Sequence, residues 1–202
     1  MKLCCPDNRN KMETGISGLN YYHPVIPTEL STRLLHFLKI TSDWVSVTDN
    51  PKSRRVIQYG FKYQYGGYNK SDTTISTIDM PDSIKELRDI AISLIGVDHL
   101  NQCIINEYKP GQGIGAHIDN KYYGDTICCF SLASGIEMEF TRADHKTVKL
   151  YVQAGSLYTM FDEARYQWRH QIRPRKSDRI SETISIQRST RISITFRQVP
   201  IS

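Results

Sequence analysis

Three residues in the second half of this chain have the types and spacing to hold a divalent metal: His117, Asp119 and His170. In a strand, residues i and i+2 point to one face. A strand over 114–119 therefore turns the imidazole of His117 and the carboxylate of Asp119 toward one point, with Ile118 packed behind them. A third ligand has to come from another strand, and His170, in the run Gln167-Trp168-Arg169-His170-Gln171-Ile172, can supply it. Two histidines and one carboxylate fill one face of an octahedron and leave three positions open, the donor set with which non-haem iron(II) activates dioxygen. H-x-D alone is a short motif that also arises by chance, so its weight depends on its company. His23, His36, His99 and His145 have no carboxylate at ligand spacing in a strand and are given no role.

The company is a late, strictly alternating run. Ile192, Ile194 and Phe196 face one side, and Arg191, Ser193, Thr195 and Arg197 face the other. An exposed strand with its arginines in solvent would read the same way. Two guanidinium groups on one polar face also suit a dicarboxylate, because each forms bidentate, charge-assisted hydrogen bonds. Asn106 and Tyr108 share a face of the run 102–108, and both can hydrogen-bond a carboxylate oxygen. Their plainer reading is an ordinary strand end entering the turn Lys109-Pro110-Gly111.

The elements that must position these groups are mostly strands. From residue 102 onward, short β-type runs follow one another between Gly, Pro, Asp and Asn: 102–108, 114–119, 126–132, 136–141, 147–152, 156–161, 168–172 and 191–199. Such a series predicts a β-sandwich or barrel. Two helices precede it. One spans 28–40, with Leu30, Leu34 and Leu38 at helical spacing. The other spans 81–95, with Pro81 in its first turn and Ile84, Leu87, Ile90, Ala91 and Leu94 on its apolar face. Residues 54–65 are β-branched and aromatic and end at Gly66-Gly67, as a strand or hairpin arm would. Residues 1–18 are polar and aperiodic and read as a flexible tail, which leaves 19–202 as one domain.

Composition narrows the class. Of 202 residues 39% are hydrophobic and 23% charged, a globular balance, and no apolar run has the length of a membrane span. Five cysteines include two adjacent pairs, Cys4-Cys5 and Cys128-Cys129, without C-x-x-C spacing. A disulfide scaffold and a cysteine zinc site are therefore unsupported, and a reducing, intracellular compartment (cytoplasm or nucleus) is expected. Cys103, Cys128 and Cys129 read as small buried hydrophobes. The net charge of +5 permits a polyanionic partner without demanding one. Basic residues crowd the last quarter, from Arg165 and Arg169 through Arg173, Arg175, Lys176, Arg179 and Arg188 to Arg191 and Arg197. The simplest account of them is a solvated basic face.

Four pieces in order then resemble the AlkB family of iron(II)/2-oxoglutarate dioxygenases. They are residues 106–114 (Asn-Glu-Tyr-Lys-Pro-Gly-Gln-Gly-Ile), His117-Ile118-Asp119, residues 156–170 ending in Arg165-Tyr166-Gln167-Trp168-Arg169-His170, and residues 191–198. The resemblance covers residues 20–200, and the four pieces together are far more specific than any one. Within the family the chain is most similar to the branch that hydroxylates modified wobble uridine in transfer RNA, through Arg54-Arg55-Val56 with Tyr59-Gly60-Phe61, Pro110-Gly111-Gln112-Gly113, and Pro174-Arg175-Lys176 with Asp178. Members of that branch can carry an RNA-recognition module before the oxygenase and a methyltransferase after it. The length of this chain leaves room for neither, so a separate RNA-binding or methyltransferase partner is the expectation, with the chain itself a monomer. Lys121 departs from the pattern twice. It stands where a zinc-binding histidine is expected in that branch, so a second, structural zinc is not expected. It also replaces an acidic residue of the base-demethylating members, which weakens direct repair of alkylated bases as the activity.

The resemblance implies a mainly β fold, a double-stranded β-helix or jelly roll with the two N-terminal helices as outside support. It implies Fe(II) on His117, Asp119 and His170, with 2-oxoglutarate and O2 as co-substrates. Arg191 would take the distal carboxylate of 2-oxoglutarate, Arg197 would lie near its metal end, and Asn106, Tyr108 and Ser193 would complete the pocket. A nucleotide-recognition lid is expected over about 52–75. There Tyr59, Phe61, Tyr63, Tyr65 and Tyr68 would stack bases while Arg54, Arg55 and Lys62 touch phosphate; a hairpin whose tyrosines pack on the core is the alternative. Lys121 and Arg165 complete the expected substrate contacts. The substrate is then nucleic acid, foremost RNA, with an unstacked base presented to the metal. Oxidation of a modified tRNA uridine ends in hydroxylation, and oxidation of an N-methyl group ends in demethylation. The same chemistry on protein side chains or a small molecule is the second reading. A non-catalytic binding module is the third, and the intact metal triad and both arginines count against it.

Overall fold

A computed structural model describes residues 10–50, 53–62 and 77–200 of the chain. Along the sequence these residues form β1 (Lys11–Met12), β2 (Leu19–Tyr22), α1 (Thr28–Ile40), β3 (Val45–Ser46), β4 (Arg55–Phe61), β5 (Thr77–Ile78) and α2 (Asp82–Ile95). There follow β6 (Gln102–Tyr108), β7 (Ile114–His117), β8 (Ile127–Leu132), β9 (Ile136–Thr141), β10 (Val148–Val152), β11 (Ser156–Met160) and α3 (Asp162–Tyr166). The chain closes with β12 (Arg169–Ile172), β13 (Ser177–Arg179), β14 (Ser185–Gln187) and β15 (Arg191–Arg197).

A large antiparallel sheet runs β1-β2-β11-β8-β15-β6-β4-β3, with β5 on β4. A smaller one runs β10-β9-β12-β7, and β13 and β14 form a separate hairpin. These sheets make the jelly roll that the sequence predicts. The two helices also fall where the apolar spacing puts them. Leu30, Leu34 and Leu38 of α1 and Ile84, Leu87, Ile90 and Ala91 of α2 are the buried faces. Gly96, at φ 69°, ends α2 in a left-handed cap that glycine adopts without steric cost.

Two apolar clusters explain why β8, β11 and β15 are buried along their whole lengths. One lies between the helices and the outer face of the large sheet, and takes Ile192, Ile194 and Phe196 from β15 and Cys103 and Ile105 from β6. The other fills the inside of the roll with Ile127, Cys129, Met138, Phe140, Tyr158, Met160, Trp168 and Ile172. Alternation therefore sends Arg191, Ser193, Thr195 and Arg197 inward, opposite the helices. Cys103, Cys128 and Cys129 are buried free thiols, as expected.

Two expectations need correction. Residues 10–18 are not a tail, because β1 pairs with β2 (Lys11 opposite Tyr22) and Ile16 is buried in the inner cluster; residues 1–9 lie outside the described ones. The strand over 114–119 stops at His117, so Asp119 stands in the loop that follows. Among the described residues no helix is long and apolar enough to cross a membrane.

Candidate active site

Strand register brings the two histidines together. β7 and β12 are antiparallel neighbours, and His117 lies directly opposite His170. Their ring centroids are 4.3 Å apart. Gly113 lets the turn before β7 approach β12, since a Cβ there would meet the Ile172 carbonyl oxygen at 2.2 Å. The His117 Nδ1 lies 2.8 Å from the Gly115 carbonyl, which puts the proton on Nδ1 and leaves the lone pair on Nε2.

Asp119 arrives by another route than strand alternation. Its carboxylate accepts a hydrogen bond from Arg197 Nη2 at 2.9 Å and lies 4.0 Å from His170 Nε2. One ligand atom from each of His117, Asp119 and His170 falls within 4.8 Å of the others, close enough to share one ion. Burial alone would raise the Asp119 carboxyl, but Arg197, His170 and His117 outweigh it and hold the pKa down at about 2. Burial lowers the His170 imidazole to about 4, so it is neutral at physiological pH with a lone pair to give. An ionised carboxylate beside two histidines suits the donor chemistry of Fe(II).

Beneath this trio lies a small cavity of about 50 Å³, lined by Asn106, Tyr108, Arg191, Ser193, Thr195 and Arg197 against an apolar wall of Ile127, Met138, Met160 and Ile172. Arg191 is 1% exposed. Its Nε donates to Ser131 Oγ at 2.9 Å and its guanidinium lies 5.7 Å from the Tyr108 ring centroid, but among the described residues its Nη2 has no hydrogen-bond partner. Arg197 likewise leaves Nε and Nη1 without a hydrogen-bond partner among the described residues. A buried donor without a partner costs about 1–3 kcal/mol, and more when charged. Two such guanidinium groups at the foot of one polar-lined pocket fit a dicarboxylate such as 2-oxoglutarate.

A second cavity of about 390 Å³ opens on the other side of His117 and Asp119. Arg54, Asn106, Asn120 and Tyr123 line it, with Ile104, Ile114 and Ile118 as its apolar surface. Arg54 Nε donates to Asn106 Oδ1 at 2.9 Å at the edge of this cleft. Several other expected contacts are corrected. Arg55 points away and forms a two-pronged pair with Glu107 at 2.9 and 2.8 Å, with its guanidinium 5.1 Å from the Trp44 ring centroid. Tyr59 is buried in the helix-side cluster and donates its hydroxyl to Asp43 at 3.1 Å. Phe61 packs on the inner cluster and lines neither cavity. Strand alternation turns Arg54 toward the cleft and Arg55 and Tyr59 the other way, and Gly60, at φ 70°, breaks the alternation so that Phe61 falls on the inner side. Arg165 is buried beneath the 119–124 loop, bonded to backbone carbonyls and not open to a substrate. Lys121 is exposed and lines neither cavity. Tyr63, Tyr65 and Tyr68 lie outside the described residues.

Sequence reasoning missed Asn120 and Tyr123 in the outer cleft, which directly follow the H-x-D motif, and Thr195 in the inner one, which shares the polar face of Arg191 and Arg197. A solvated basic face, the simplest account of the last quarter, does not describe all of the arginines there. Arg173 and Arg175 instead bind Glu139 and Glu137, and Arg188 grips Asp178 at 2.7 and 2.6 Å in a buried pair.

Residues 31–197 match the model of the 2OG-Fe(II) oxygenase superfamily. The chain is 35% identical over 198 residues to the uncharacterized protein L905 of Acanthamoeba polyphaga mimivirus, covering 94% of this chain and 88% of that protein. It is 35% identical over 177 residues to the tRNA (carboxymethyluridine(34)-5-O)-methyltransferase alkbh8 of Xenopus tropicalis, covering 78% of this chain but 28% of that longer protein. Among solved structures, OsALKBH1 superposes with a TM-score of 0.61 at 16% identity, over 90% of this chain and 96% of that one. A prolyl-4-hydroxylase of Pseudomonas putida does so at 0.58 and 13%, over 91% and 93%. The His-Asp-His trio and the arginine-floored pocket thus stand in a chain that belongs to the 2OG-Fe(II) oxygenase superfamily, an oxidoreductase whose cofactors are Fe(II), 2-oxoglutarate and O2.

Proposed function

We propose that this chain oxidises a C–H bond on nucleic acid, foremost RNA, with His117, Asp119 and His170 as the iron ligands. The observation that carries the reading is the pair of cavities that share His117 and Asp119, one floored by unmatched guanidinium donors with His170 in its wall and the other open and mixed in character. When bound, iron with 2-oxoglutarate and O2 supplies the oxidation: one oxygen atom enters the substrate C–H bond, the other enters succinate, and CO2 leaves.

The residues of the chain do the holding. Arg191 takes the distal carboxylate, with Ser193 and Tyr108 beside it. Arg197 keeps one Nη on Asp119 and offers its remaining N–H groups to the pocket. The apolar wall of Met138, Met160 and Ile127 keeps water from the reacting atoms. In the outer cleft, amides of Asn106 and Asn120 stand beside isoleucine side chains and the Tyr123 ring, a combination that suits a flat base with a polar edge. The relatives whose names include a tRNA methyltransferase and a probable RNA/DNA demethylase support nucleic acid over protein. Oxidation of a ring-substituent methylene ends in hydroxylation, and oxidation of an N-methyl group ends in loss of that carbon.

Incubation of the iron-loaded enzyme with transfer RNA, methylated oligonucleotides and a protein extract, followed by mass spectrometry, tests the assignment. The expected result is a gain of one oxygen or loss of one methylene in the RNA fraction. A product confined to the protein fraction contradicts it.

A further inference from the structure

Arg165 sits on α3, and its side chain is among the most deeply buried in the molecule, at 1% exposure. Burial works against its charge, and its pKa is lowered accordingly. Among the described residues its guanidinium meets no carboxylate at ion-pair distance. It spreads instead over backbone carbonyls of a single loop: Nη1 to Asp119 at 3.0 Å, Nη2 to Asn120 at 2.8 Å and Tyr123 at 3.2 Å, and Nε to Gly124 at a long 3.4 Å. Loop carbonyls turned inward have no ladder partner, and a buried one needs a donor from elsewhere. A planar cation with five N–H groups is the one side chain that can serve four of them at once. Behind it the Tyr166 ring centroid lies 4.8 Å from the guanidinium, and the Tyr166 hydroxyl donates to Asp125 at 2.5 Å. Both ends of the loop are therefore tied to α3.

That loop carries the Asp119 carboxylate toward His117 and His170, and Asn120 and Tyr123 into the outer cleft. We propose that Arg165 is a positioning residue for the metal centre: it holds the 119–124 loop so that the Asp119 carboxylate is turned toward the two histidines before metal arrives. This rests on the reading of His117, Asp119 and His170 as the iron ligands. It extends from side chain to backbone the rule that groups behind a metal ligand set its orientation.

Co(II) serves as the probe, titrated into metal-free protein without 2-oxoglutarate and followed by its visible absorption, with urea unfolding of each metal-free variant measured alongside. The variants are His117→Ala, Arg165→Lys, which keeps the charge but not the planar spread, and Glu139→Gln, at a residue that lines neither cavity and pairs with Arg173 and Arg175, as a control for lost stability. Wild type is expected to bind, His117→Ala to lose binding, folded Arg165→Lys to bind about 10- to 100-fold more weakly, and Glu139→Gln to bind like wild type. Equal uptake by wild type and His117→Ala overturns the ligand assignment itself. Loss in His117→Ala with wild-type affinity in folded Arg165→Lys overturns the positioning role alone, as does weakening in Glu139→Gln to match that in Arg165→Lys. If Arg165→Lys does not fold, hydrogen exchange of wild type decides. Amides 119–124 are expected to exchange at the same rate with and without Co(II), and protection that appears only after Co(II) is added refutes the proposal.

Discussion

Two groups of arginines lie close in sequence and have opposite fates. Arg173, Arg175 and Arg188, on the outer side of the small sheet and its hairpin, are paired with Glu139, Glu137 and Asp178, and only Arg175 Nε, 3.8 Å from Asp178, lacks a hydrogen bond among the described residues. Arg191 and Arg197, on the inner face of β15, are also buried, and among the described residues three of their N–H-bearing nitrogens find no hydrogen-bond partner. The first group uses its charge to join elements of the fold. The second keeps it in reserve at the foot of a pocket. Buried N–H groups with no acceptor in the chain are costly and call for one from outside it, and the β15 pair gathers them at the foot of one pocket.

The contrast makes predictions of opposite sign. Arg191→Met is expected to weaken 2-oxoglutarate binding by the 2–5 kcal/mol typical of removing one partner of a buried charge pair, roughly 30-fold or more in KM for 2-oxoglutarate. Its unfolding free energy without co-substrate should hold or rise, because an unmatched charge has been removed. A loss of apo-protein stability with unchanged KM would erase the distinction. Arg188→Met should do the reverse. It takes from Asp178, 1% exposed in its side chain, both of its short bonds and leaves only Arg175 at 3.8 Å, and should cost up to about 3–5 kcal/mol in urea unfolding with KM unchanged.

Glu139 gives a subtler test. Burial pushes its carboxyl up, but Arg173, Gln171 and Arg175 outweigh that and bring it below its ordinary 4.5. A depressed carboxyl contributes stability that is fully present above the unfolded pKa and is lost as pH falls through the folded one. Wild type should therefore lose stability faster than Glu139→Gln as pH drops below about 4.5, read by thermal unfolding across pH. Smallest of all, Arg173→Ala should change stability by about 1 kcal/mol or less, because the Arg173 side chain is 58% exposed and solvent screens its pairing.

What was legible in the sequence followed periodicity. Leu30, Leu34 and Leu38 place α1, and the alternation of β15 places Arg191, Ser193, Thr195 and Arg197 on one face, because those patterns are local. What stayed hidden depended on neighbours far along the chain. Asp119 reads as the second turn-in of a strand, yet it sits in a loop held by Arg165 and Arg197. Arg165 and Tyr59 read as substrate contacts because Arg and Tyr are frequent there, and only the packing of α3 and α1–α2 shows both to be buried. Which arginine would meet which glutamate is set by the register of β9 against β12, where Glu139 faces Gln171, and no spacing rule within one segment reveals it.

The most direct test is succinate formed from 2-oxoglutarate by protein reconstituted with Fe(II) in the presence of O2, compared between wild type and a folded His170→Ala. The account predicts succinate from wild type and none above background from the variant. Equal succinate from the two, or none from iron-loaded wild type, would contradict it.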